Sequence, residues 1–440
     1  MGGVVSSEDE SRKRDEEDES EDEDSIDEDS DDSGDSSEDD SDEEESEDDS
    51  ESLLDGELVE EVDSNTDTSF FGESDTSDSS DDDSEDEEEE VRQEVIITEN
   101  MMVGFGLPLL EIKAKVGAGY IKRFELTAGS RSVAGEKQIS LYKELCGWFS
   151  TEFLPGGGAL NVIRVAQWML PLPKATSIVG AIGTDENGKR VSEACTAAGI
   201  VPMFYEQETD ITGCVAKLSV DAGPAGSTVT QITHLSAGNA YSKQRHLDLE
   251  QNWDRVKEAE YFFIPGLFLT VCPETTLAVG EMSSEKGKTF ALTLGNPQLC
   301  RLYKDTQLAV LRYVDFLFSN AETALSFAQE NDFETTDLAE IARKMCLLPK
   351  VNSNKPRVVV ITQGVGPTVV ARGYDEVHEF EVDEIENKDG PAGLGDFFIG
   401  GFLGQLVQGH GLERCVEGGH FAVQELLQHG NKLSGECPFE

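Results

Sequence analysis

Cations are nearly missing from the first 95 residues, where four Lys and Arg stand against 48 Asp and Glu and the only aromatic residues are Phe70 and Phe71. So acidic a stretch, with so little apolar side chain, cannot offset the entropy of ordering. Residues 1–95 are therefore expected to form a disordered, self-repelling tail unsuited to nucleic acid. No apolar run is long enough for a signal peptide or a membrane span, which points to a cytoplasmic or nuclear protein. Gly2 with Ser6 fits the loose myristoylation pattern, but one acyl chain anchors weakly and the neighbouring acids are repelled by an anionic leaflet. Metal-ligand spacing is absent too. The eight cysteines are scattered from Cys146 to Cys437, and reduced, mostly buried thiols are the default.

The formal charge of −57 is thus a property of the tail, since the remaining residues hold 43 acids against 30 bases. Two apolar islands interrupt the tail, at 52–59 and 69–71. Either they dock to a basic protein partner, or they are chance features of a solvated appendage.

From Met101 the texture changes to short apolar runs separated by helix-like stretches. That alternation predicts an α/β domain over 96–440 with a mostly parallel sheet. Strands are expected at 102–105, 176–179, 261–264, 289–294, 316–318 and 358–362, with helices at 188–198, 273–286, 321–329 and 336–346. Continuous apolar strands are buried on both faces, so helices must cover both sides, and ligands bind at the strands' carboxyl ends. The stretches 111–130 and 203–220 read instead as strands with one polar face. They pair into a small β lid, with lid segments about 111–135 and 203–220, or they are ordinary edge hairpins.

Two glycine turns carry the chemistry. Gly393-Leu394-Gly395-Asp396 precedes an apolar helical run, and unpaired amides at a helix start hold anions such as phosphate. A carboxylate beside that anion is useful as a base toward an attacking hydroxyl, although Asp396 also suits a helix start electrostatically. Gly156-Gly157-Gly158 precedes Asn161 and a second helix, so the pair suggests one cleft with two ligands. A tight turn with a helix-start asparagine explains the same residues.

The segment 156–170, Gly-Gly-Gly-Ala-Leu-Asn-Val-Ile-Arg-Val-Ala-Gln-Trp-Met-Leu, resembles the sugar-binding turn and helix of ribokinase-like (PfkB) carbohydrate kinases. Similarity to the adenosine kinases of that family continues through 180–188, 246–253, 268–274 and 362–364, so it spans about 101–430. The resemblance implies a three-layer ribokinase-like core with a β lid, a monomer, and Mg2+-dependent transfer of the ATP γ-phosphoryl group to the 5′-hydroxyl of adenosine. It makes Asp396 the base and Gly393, Leu394 and Gly395 the anion hole. Glu111, Gly157, Gly158 and Asn161 become acceptor contacts, with Phe268 as a wall for adenine unless it is core. Asn320, Thr362 and Gly364 fall in the nucleotide region.

Several positions depart from the family pattern. Glu111 replaces an aspartate that grips ribose, and Leu107 also alters that strand, which admits another nucleoside or a sugar as substrate. Pro391 and Ala392 stand where Thr and Asn are usual, the early acid is shifted to Asp389, and Leu394 replaces a small residue. Losing one anion-hole donor typically costs about 100- to 1000-fold in rate. Glu322 falls one place early for the metal-associated Asn-x-x-Glu element, leaving Thr323 there, so no direct metal ligand is expected and Mg2+ rides on nucleotide phosphates. An arginine expected near 228–230 is absent. Two function classes follow: an adenosine kinase-like phosphotransferase, or a nucleoside-binding pseudokinase or scaffold acting through its acidic tail.

Overall fold

A computed structural model of the chain describes residues 95–221, 227–383, 393–429, 432–433 and 435–439. The expected tail disorder and its islands, and Asp389, Pro391 and Ala392, lie outside the described residues. In chain order the strands are β1 (Met102–Phe105), β2 (Leu109–Lys115), β3 (Arg131–Val133), β4 (Thr151–Gly156), β5 (Thr176–Gly183), β6 (Val201–Gln207) and β7 (Cys214–Asp221). They continue as β8 (Ser227–His234), β9 (Tyr261–Ile264), β10 (Thr289–Thr293), β11 (Phe316–Asn320), β12 (Val358–Gln363), β13 (Gly366–Arg372) and β14 (Glu376–Phe380).

Nine strands form one sheet in the order β14-β13-β12-β11-β10-β9-β1-β5-β6. Pairing is parallel from β12 to β6, and β13 and β14 add an antiparallel edge. Neighbouring strand residues feed opposite cores: Phe263 and Val360 join one apolar cluster, while Phe262, Ile264, Val359 and Ile361 join the other. This is the three-layer outcome that strands buried on both faces require. Helices Gly158–Met169 and Leu394–Val407 contribute to the first cluster, and helices Pro273–Lys286, Ala321–Glu330 and Leu338–Cys346 to the second. Arg357, 1% exposed, donates to the carbonyls of Leu311, Val314, Met345 and Leu348, binding helix ends to β12.

Local signals set several boundaries. Helix Pro273–Lys286 begins on proline and ends at Gly287 with φ 69°, the pairing that favours a sharp start and stop. Asp337 caps helix Leu338–Cys346 by accepting from the Glu340 amide at 2.7 Å.

The second sheet has the order β3-β8-β7-β2-β4. It brings parts of 111–135 and 203–220 together, because β2 pairs in parallel with β7. Two details differ from the sequence expectation. Residues Ala118–Arg123 form a helix, not strand. Val201–Gln207 pairs with β5 at the edge of the large sheet, so only the later half of 203–220 belongs to the smaller one. An edge strand half exposed along its length carries the same alternation as a lid strand, which is why pattern alone did not separate them. Among the described residues no helix is long and apolar enough to cross a membrane.

Candidate active site

Gly157 has φ 97°, and a Cβ there would lie 2.3 Å from the Leu107 carbonyl oxygen. Only glycine fits so close an approach in that conformation. It precedes helix Gly158–Met169, whose first turn carries Asn161. Gly393, φ 107°, likewise precedes helix Leu394–Val407, with Asp396 in the first turn. The two helices pack closely through glycine: a Cβ on Gly400 would fall 2.6 Å from Val165 Cβ. Their amino ends therefore converge. Asn161 Nδ2 donates to Asp396 Oδ2 at 3.0 Å, and Asp396 Oδ1 lies over Gly158, 3.4 Å from where a Cβ would stand.

Asp396 is half-buried, and burial pushes its carboxyl above the usual range for an aspartate. The Asn161 hydrogen bond and the positive charge of Lys217 oppose that rise. A carboxylate whose pKa is raised is a stronger base toward a hydroxyl proton than an ordinary aspartate.

Two chambers open on one side of Asp396. A polar one of about 210 Å³ is lined by Ser319, Asn320, Thr362, Gly395 and Asp396 itself. It shares Thr362, Gly395 and Phe398 with an apolar chamber of about 340 Å³, whose wall includes Gly364, Val365, Leu394, His420 and Val423. Leu394 thus stands in the wall of the larger chamber and not in the polar one. Among the described residues outside its own helical turn and chain neighbours, none comes within 4 Å of a Cβ built on Gly395, so the backbone there is approachable. Amides of the first helical turn lack acceptors within the helix, and here they adjoin the polar chamber. His420 Nε2 lies 2.9 Å from Thr368 Oγ1, and burial lowers its pKa, which favours the neutral ring. Thr362, Gly364, Leu394 and Gly395 of this chamber were among the sequence expectations, whereas Val365, Thr368, His420 and Val423 were not, because β13 and helix Leu412–His429 are joined to them by no local pattern.

Across Asp396, Glu111 projects from β2 with its side chain 4% exposed. Lys217 Nζ from β7 is 2.7 Å from Glu111 Oε2, and Lys113 Nζ is 3.3 Å from Oε1. Glu111 Oε1 and Asn161 Oδ1 are both buried and have no hydrogen-bond partner among the described residues. Glu111 Oε1 keeps its ion pair with Lys113, whereas an unsatisfied acceptor such as Asn161 Oδ1 costs about 1–3 kcal/mol, which a ligand hydroxyl donating to it would relieve.

Asn320 serves locally as a cap, its Oδ1 accepting from the Thr323 amide at 2.8 Å, while also lining the polar chamber. Glu322 is exposed and lines neither chamber. Among the described residues no three His, Cys, Asp or Glu gather into a metal-binding group. Phe268 is corrected: it sits in a short 3-10 turn, Gly266–Thr270, fully buried against Phe105 and Tyr241, with no face left for a ring to stack on.

Comparison with known proteins gives a consistent picture. Residues 136–434 match the family model described as pfkB family carbohydrate kinase. Adenosine kinase 1 of Arabidopsis thaliana is 36% identical over 342 residues, covering 77% of this chain and 97% of the relative. Adenosine kinase of Schizosaccharomyces pombe is 32% identical, covering 75% and 94%. Among solved structures, Anopheles gambiae adenosine kinase in complex with P1,P4-di(adenosine-5) tetraphosphate superposes with a TM-score of 0.67 at 32% identity, covering 76% of this chain and 96% of that one. Apo Trypanosoma brucei brucei adenosine kinase gives 0.70 at 28%, covering 75% and 99%.

Proposed function

Because this chain belongs to the pfkB family of carbohydrate kinases, we propose that its two chambers and the paired acceptors beyond Asp396 serve adenosine kinase-like phosphoryl transfer from ATP to adenosine. The observation that carries the assignment is the position of Asp396. It lines a polar chamber beside a helix start and is fixed at 3.0 Å by Asn161, whose own buried Oδ1 has no hydrogen-bond partner among the described residues.

The adenine of ATP occupies the apolar chamber, and its phosphates run through the polar one to the amides at Gly395. Ribose hydroxyls of adenosine donate to Glu111 Oε1 and Asn161 Oδ1. That leaves the 5′-hydroxyl facing Asp396, which takes its proton as the oxygen attacks the terminal phosphorus in line with the departing ADP. Asn161, by holding Oδ2, leaves Oδ1 to receive the proton. The lining fits a Mg2+ carried on the triphosphate, since hydroxyl and amide groups of Ser319, Asn320 and Thr362 line the polar chamber. Bound there, the ion would neutralise charge on the phosphates.

The test is direct. Purified full-length protein with Mg-ATP should convert labelled adenosine to AMP, in preference to other nucleosides and free ribose. No turnover of adenosine, or equal turnover of every alcohol in the panel, overturns the assignment.

A further inference from the structure

Lys217 has no role in the scheme above, yet it pairs with Glu111 and its charge acts on Asp396. It lies on β7, opposite Lys113 of β2 and Gln231 of β8, with its side chain 17% exposed. Its ammonium reaches Glu111 Oε2 at 2.7 Å, and its charge also acts on Asp396. Charge of that sign beside a carboxyl favours the ionised form.

We infer that Lys217 is a positioning residue of the transfer site: it pins Glu111 Oε2 so that Oε1, paired only at 3.3 Å with the more exposed Lys113, faces the acceptor, and it holds Asp396 ready as an ionised base. Glu111 comes from β2 of the smaller sheet and Asp396 from helix Leu394–Val407, and Lys217 acts electrostatically on both. Lys113 does not substitute. It is more exposed and sits opposite Glu152, on whose carboxylate its charge also acts.

Other groups around Asp396 leave Lys217 as the ionic influence. Helix Gly158–Met169 presents Asn161, which is not titratable, while the charge of Glu111 acts on Arg164 of that helix. The polar chamber presents Ser319, Asn320 and Thr362. Helix Leu412–His429 brings His420 to Thr368 and Phe398.

The inference rests on the adenosine kinase-like reading, so the experiment separates the two. Wild type, Lys217→Met and Lys217→Arg are compared for kcat/KM with adenosine against pH, and for thermal stabilisation by adenosine without ATP. Loss of the methionine variant's charged hydrogen bond should raise the KM for adenosine about ten- to hundred-fold and weaken the stabilisation correspondingly. The acid limb of its pH profile should move to higher pH, because the base is harder to ionise, and Lys217→Arg should restore the limb. A methionine variant with the wild-type limb and KM overturns the role of Lys217 alone. If wild type fails to turn adenosine over, the functional reading falls. The stabilisation arm then still decides Lys217: the role fails if wild type and Lys217→Met respond alike. Should both variants lose activity with an unmoved limb, Lys217 is structural only and the inference fails.

Discussion

Asp396 is kept in an environment that disfavours its charge, and the sign of that effect is testable apart from catalysis. Burial raises its pKa in the folded protein above the value of an unfolded aspartate. Folded protein then binds the proton more tightly than unfolded protein, so its stability falls as pH rises through the raised pKa. Asp396→Asn removes that penalty while retaining a polar neighbour for Asn161. The variant should lose about 100- to 10,000-fold in kcat, the usual worth of a general base. At neutral pH it should melt no lower than wild type, with the difference shrinking as pH is lowered until Asp396 is protonated. Calorimetry from acid to neutral pH alongside turnover checks both halves. A variant that is inactive and also less stable at neutral pH would mean that Asp396 is chiefly a structural helix-start carboxylate.

At the scale of elements, the site depends on how closely two helices approach. Gly400 lets helix Leu394–Val407 sit against Val162 and Val165 of helix Gly158–Met169, and a Cβ there would fall 2.7 Å from the Val162 carbonyl oxygen. Gly400→Ala should cost about 1–3 kcal/mol by overpacking. It should also draw Asn161 away from Asp396 and so lower kcat. Gly119→Ala, where nothing lies within 4 Å, is the control for the helical substitution itself. Denaturant unfolding with parallel kinetics checks this, and an unchanged kcat in folded Gly400→Ala would uncouple the helix contact from the base. Much of this architecture was legible in the chain. Pro273 and Gly287 bracket a helix, apolar runs mark the buried strands, and the two glycine turns mark the helix starts at the cleft. What was not legible joins residues far apart in sequence. Asn161 meets Asp396 across 235 positions, and Glu111 meets Lys217 only because β2 and β7 pair. Helix Ala118–Arg123 was read as strand because its six residues are too few to display a helical period. Phe268 was assigned to the cleft from its position in a motif, whereas packing on Phe105 and Tyr241 decides its place.

On the scale of the whole molecule, the question is whether the acidic residues 1–95 take part in catalysis. The matched family region begins at residue 136, and 77% of this chain suffices to cover 97% of the Arabidopsis relative. The residues that build the site therefore lie outside the tail. Its charge of four bases against 48 acids can still act at a distance on ATP, which is itself an anion. Screening decides how far: the Debye length is about 8 Å at 0.15 M ionic strength and about 30 Å at 0.01 M. A chain lacking residues 1–95 should match full-length kcat and KM for both substrates at the higher ionic strength. At the lower one, the full-length chain should show the higher KM for ATP, with KM for uncharged adenosine equal in both. Steady-state kinetics of the two forms at the two salt concentrations checks this. Loss of turnover on truncation at 0.15 M would instead mean that the tail acts through more than screened charge.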